Sequence, residues 1–155
     1  MIHLKTVQPD QRQLLWNINQ KYLYEMTNYY DDPIDEEGNF HYGYFDEYFS
    51  DSKRMAYFIY NDDKLCGFAF INPYSFCGQN PDYTMAEFTI FPSFRKQHLA
   101  SEAVKLIFSE YPGSWEIKYH EKNIPAGKFW HKITAPYQPF EIHLNEAETV
   151  LIFTA

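Results

Sequence analysis

The chain has 155 residues, of which 20% are aromatic and 22% charged, and its formal net charge is −8. That length suits one core in a single domain over residues 1–155, while the aromatic content and a mean hydropathy of −0.52 exclude a disordered polar segment and a membrane span. The acidic balance argues against nucleic acid, whose phosphates require a basic stripe, and favours a cationic small molecule or a basic peptide as partner.

Alternation of Ile2, Leu4 and Thr6 with His3 and Lys5 predicts a first strand. No apolar leader precedes it, so a cytoplasmic protein is expected. After Pro9-Asp10, residues Leu15, Ile18, Tyr22 and Met26 fall on one helical face. Residues 27–53 read as an acidic aromatic loop containing Tyr29-Tyr30-Asp31-Asp32-Pro33, followed by a short helix around Tyr44, Phe45, Tyr48 and Phe49. Met55–Tyr60 and Leu65–Ile71, joined by Asn61-Asp62-Asp63-Lys64, predict a hairpin. Cys66 and Cys77 are too few for a zinc site or a disulfide framework and are read as reduced thiols. Met85–Phe91 is the next strand; strict alternation puts Ala86, Phe88 and Ile90 on one face and Met85, Glu87, Thr89 and Phe91 on the other.

Arg95-Lys96-Gln97-His98-Leu99-Ala100 then leads into an amphipathic helix carrying Ala100, Ala103, Val104, Ile107 and Phe108, which stops at Tyr111-Pro112-Gly113. A helix start after a strand presents unpaired N–H groups at the positive end of the helix dipole, a setting suited to phosphate. Trp115, Ile117 and Tyr119 alternate as a strand. Asn123 is a good N-cap for a helix lined by Ala126, Phe129, Trp130 and Ile133, and Phe140–Leu144 and Thr149–Phe153 close the chain as strands. The remaining histidines, His3, His41, His120, His131 and His143, lack metal-ligand spacing, so no metal is expected.

The order β-α-α-β-β-β-α-β-α-β-β resembles the GCN5-related N-acetyltransferase (GNAT) superfamily over essentially the whole chain. Glu87-Phe88-Thr89-Ile90 followed by Pro92, Arg95 and Ala100 is similar to its acetyl-CoA signature, Arg/Gln-x-x-Gly-x-Gly/Ala. Asn123, Ala126 and Phe129 resemble its Asn-x-x-Ala-x-x-Phe/Leu-Tyr segment. The resemblance implies an α/β (α+β) fold: a mixed, mostly antiparallel seven-stranded sheet with splayed parallel strands in the middle and about four flanking helices. It also implies acetyl-CoA as acyl donor, bound by Phe88, Thr89, Ile90, Arg95, Lys96, Gln97, His98, Leu99, Ala100, Asn123, Ala126, Phe129 and Trp130.

Transfer needs an amine with a free lone pair, so a base must remove a proton. Glu87 resembles the strand glutamate used as base in several members; a solvated or ion-paired acid is the competing reading. Two departures stand out. His98 replaces the first glycine of the loop, where a side chain opposes a left-handed backbone by about 1–2 kcal/mol. Trp130 replaces the tyrosine acid, and an indole does not donate a proton near neutral pH, so the general acid is unassigned. Tyr29, Tyr30 and Asp31, with Asp32 and Tyr44, are candidates to hold the acceptor, expected to be a primary amine of a small molecule or peptide. A fold that binds CoA or another ligand without turnover is the alternative, and a non-CoA interaction domain a third reading. The aromatic content also suggests patches on which a homodimer could form.

Overall fold

The computed structural model describes residues 1–155. Seven strands form one sheet: β1 (Ile2–Thr6), β2 (Met55–Asn61), β3 (Lys64–Asn72), β4 (Tyr83–Ile90), β5 (Ser114–His120), β6 (Phe140–His143) and β7 (Glu148–Thr154). Their order across it is β1-β2-β3-β4-β5-β7-β6, and only β4 and β5 run parallel. The helices are α1 (Arg12–Met26), α2 (Glu47–Ser50), α3 (Leu99–Glu110) and α4 (Ile124–Thr134). This reproduces the expected element order and the mixed, mostly antiparallel sheet.

Each helix docks through the apolar stripe its sequence predicts. Leu99, Ala103, Val104, Ile107 and Phe108 of α3, with Trp130 of α4, cover one sheet face, against Ile59, Ala69, Ile71, Trp115, Ile117 and Leu151. Leu15 and Ile18 of α1, with Phe45 and Tyr48, cover the other, against Ala56, Phe58, Phe68 and Phe70. Phe58, Phe68 and Phe70 are fully buried, and burying each such ring contributes about 1.5–3 kcal/mol. The hairpin turn is reduced to Asp62-Asp63, with Asp62 at φ +55°, a left-handed conformation that aspartate tolerates better than most residues.

Two irregularities open the sheet. Ile71 pairs with Met85 but Phe70 pairs with Glu87, so Ala86 is an extra residue, a β-bulge. The bulge reverses the phase of the strand and corrects the strict alternation expected of it. Met85 packs with α3 and α4, whereas Ala86 packs on the α1 side and Glu87 lies beside Tyr22 of α1. The second irregularity is the parallel pairing itself, which covers only Tyr83–Met85 against Trp115–Ile117. Beyond it β4 and β5 part. Close contact is restored on the far edge of β4, where Gly67 lies so near that an added Cβ would sit 2.1 Å from the Thr89 carbonyl oxygen.

Candidate active site

The parting of β4 and β5 creates a cavity of about 470 Å³ that passes between the two layers of helices. On the α3/α4 side its wall is apolar: Phe88, Ala100, Ala126, Phe129 and Trp130, with Phe129 stacked on Phe88 at 6.3 Å and Trp130 edge-on to it at 5.6 Å. On the α1 side the wall is mixed: Leu23, Met26 and Ala86 stand beside the polar Tyr22, Tyr29, Tyr30, Asp32, Glu87, Lys118 and His120.

At one end of the cavity, between β4 and α3, the chain passes through two left-handed residues, Lys96 at φ +66° and His98 at φ +61°. Each costs about 1–2 kcal/mol in a non-glycine residue. His98 is the N-cap of α3 but its side chain makes no capping bond. The first helical bond runs from the Glu102 amide to the His98 carbonyl at 3.2 Å, and no amide from Lys96 to Ser101 donates to a protein acceptor. Six consecutive N–H groups at a helix N-terminus are thus left free, an anion cradle made of backbone. Leu99 is buried in the core, so only its amide is available there, and the side chains of Lys96, Gln97 and His98 are exposed.

Arg95 does something the signature does not state. Its Nη1 and Nη2 each donate to Glu25 of α1 at 2.7 Å, and its Nε donates to the Ile90 carbonyl at 2.8 Å. The guanidinium therefore fastens the end of β4 to α1, and the bond to Glu25 raises its already high pKa. Asn123 accepts the Ala126 amide at 3.3 Å and fixes the start of α4 against the cavity.

Glu87 is half-buried. Burial pushes its carboxyl up to about 7, against smaller opposing effects from the Tyr22 hydroxyl and the Lys118 ammonium. The same closeness acts on Tyr22, whose hydroxyl is raised by burial and then by Glu87. Across the gap, Lys118 pairs with Glu148 at 3.1 Å, and Tyr30 donates to the same carboxylate at 2.7 Å. Burial alone would raise Glu148, but bonds from Asn145, Tyr30 and Lys118 outweigh it and hold the group below the usual range. Tyr30 is raised in turn by burial and by that bond.

Of the residues expected from sequence, Glu87, Phe88, Thr89, Ile90, Arg95, Ala100, Asn123, Ala126, Phe129, Trp130, Tyr29 and Tyr30 line one cavity. Asp31 is exposed and its neighbour Asp32 lines the wall instead; Tyr44 lies against Arg54 elsewhere. Tyr22, Glu25, Lys118, His120 and Glu148 were not singled out for this site. Alternation along β5 was the available signal for two of them, since placing Trp115 and Ile117 in the core turns Lys118 and His120 to the opposite face.

The sequence from residue 14 to 134 matches the model of the acetyltransferase (GNAT) family. No curated protein matches it. Among solved structures, an acetyltransferase from Thermus thermophilus superposes with a TM-score of 0.74 at 13% identity, over 100% of this chain and 97% of that one. The PaiA N-acetyltransferase from Thermoplasma acidophilum, solved with coenzyme A, gives 0.63 at 12% identity, over 100% and 99%. The ribosomal-protein-S18-alanine N-acetyltransferase from Escherichia coli gives 0.62 at 10% identity, over 99% and 94%.

Proposed function

The chain belongs to the acetyltransferase (GNAT) family, whose enzymes use acetyl-CoA as acyl donor, and we propose that residues 1–155 act as one unit that moves the acetyl group to a primary amine. The observation that carries this reading is the conjunction of three features along one cavity: an apolar passage, the Glu87 carboxyl at one mouth, and at the other end Ala100, the one lining residue of the free-amide run Lys96–Ser101.

The residues fit the donor. The pyrophosphate is received by the amides of Lys96–Ser101, with the positive end of α3 behind them, and the pantetheine arm by Phe88, Ala126, Phe129 and Trp130. Strand residues Phe88–Ile90, unpaired on their β5 side, offer backbone groups to the arm and an N–H to the thioester oxygen. Bound there, acetyl-CoA supplies an activated acyl carbon. Arg95 acts indirectly, holding the loop between β4 and α3 in place through Glu25.

Glu87 takes a proton from the acceptor ammonium, directly or through a water. With the thioester in place, the nitrogen lone pair would bond to the acyl carbon as the carbon–sulfur bond breaks, the sulfur leaving as thiolate and taking up through solvent the second proton that the nitrogen sheds. Trp130 lies where the family's tyrosine acid would stand, and it serves here as core packing and as a wall for the pantetheine arm, not as a proton donor. Because Glu87 titrates near 7 and works as a base, activity rises through that pH and then levels off.

Release of free CoA, followed with a thiol reagent over a panel of primary amines, tests the reading. Turnover is expected with some amines, and Glu87→Gln is expected to lower kcat about 10²–10⁴-fold, abolish the rise through pH 7 and leave acetyl-CoA binding intact. Full activity in Glu87→Gln would remove Glu87 as the base, and absence of acetyl-CoA binding would remove the function.

A further inference from the structure

His120 ends β5 inside the acceptor mouth and is only 7% exposed. Its Nδ1 accepts the Lys122 amide at 3.0 Å, so the neutral ring carries its proton on Nε2. The ring is held by Tyr29, at 6.1 Å, and by the edge of Tyr30, at 4.9 Å. No protein group accepts from Nε2, this nitrogen is not among the fully buried unpartnered atoms, and the residue lines the cavity. A nearly buried, oriented donor with no partner is a built half of a hydrogen bond.

The charges around it decide what the other half is. Lys118 is neutralised by Glu148, whose other oxygen is bound by Asn145 at 2.9 Å, and Arg95 is neutralised by Glu25. Glu87 and Asp32 have no cationic partner within salt-bridge distance. The mouth is therefore anionic with every lining cation already engaged, and a free carboxylate on the acceptor would be repelled. A neutral oxygen meets the His120 donor without that repulsion. We propose that the acceptor is a primary amine carrying a neutral carbonyl oxygen, as in an amino-acid amide or a peptide amino terminus, with the oxygen bonded to His120 Nε2–H and the amine against Glu87. This rests on the acetyl-transfer reading above and narrows it.

Matched triplets test the proposal: leucinamide, leucine and 3-methylbutylamine, and phenylalaninamide, phenylalanine and phenethylamine, each with saturating acetyl-CoA. In both sets kcat/KM for the amide is expected to exceed that of the free acid and of the plain amine by about tenfold or more. His120→Phe, which keeps a ring and loses the donor, collapses the preference of amide over plain amine, and His120→Gln, which offers an amide N–H, restores part of it. A purely structural role for His120 would lower both rates together and leave their ratio unchanged. Equal or faster turnover of the plain amine, or of the free acid, overturns the proposal while leaving acetyl transfer standing. No CoA release from either triplet, although acetyl-CoA raises the melting temperature, also overturns it; no effect of acetyl-CoA on the melting temperature overturns the reading on which it rests.

Discussion

Under the proposed mechanism, Glu87 couples stability to function at a single position. Its folded-state pKa of about 7 lies above the ordinary 4.5, so the folded protein prefers the protonated form. The contribution is fully present below about pH 4.5 and is lost progressively as pH rises to about 7, reaching at most about 3 kcal/mol of destabilisation above that. Glu87→Gln, neutral at every pH, is therefore expected to raise the melting temperature at pH 8 and to change it little at pH 5. An equal shift at both pH values would show that burial does not hold the carboxyl up. At this scale the sequence was informative about chemical identity and poor about environment. The glutamate in an apolar strand, the side chain at the His98 position and the indole at 130 could all be read directly. Neighbours such as Tyr22, Lys118 and Glu148 come from other elements, and no local pattern brings them together.

At the scale of elements, the strand–loop–helix segment from β4 to α3 carries most of the site. The repeat of two along Met85–Phe91 identified a strand but could not reveal the bulge at Ala86, because an extra residue leaves the composition unchanged and shifts only the phase. The free amides of the loop were legible from its place before an amphipathic helix. The use of Arg95 was not, since its partner Glu25 lies in α1, one residue before Met26 on the predicted apolar face. The pair is bidentate but partly exposed, so its removal is expected to cost only about 1 kcal/mol. Arg95→Met should lower the urea midpoint accordingly without changing the slope, and should weaken acetyl-CoA binding severalfold by loosening the loop. Weakened binding with an unchanged midpoint would instead mean that the guanidinium touches the ligand itself.

For the molecule as a whole, the decisive property is a sheet that is continuous at its edges and open in its middle. Three paired positions join β4 to β5, while β3 and β7 hold their outer edges, so the gap is fixed by the frame around it. Element order, helix faces and core residues were recoverable from periodicity because each repeats over several turns or pairs. How far a parallel pair stays zipped is a tertiary outcome and leaves no such trace. No helix is long and apolar enough to cross a membrane, in keeping with the hydropathy of the chain. Calorimetric titration of acetyl-CoA into the wild type and into Ala100→Glu tests the central claim most directly, because that substitution sets a carboxylate beside the free amides at the start of α3. Saturable one-to-one binding is expected to the wild type, with at least a tenfold loss in a variant whose melting temperature shows it folded. Equal affinity in the two proteins, or no binding to either, would contradict the assignment of this cleft to acetyl-CoA.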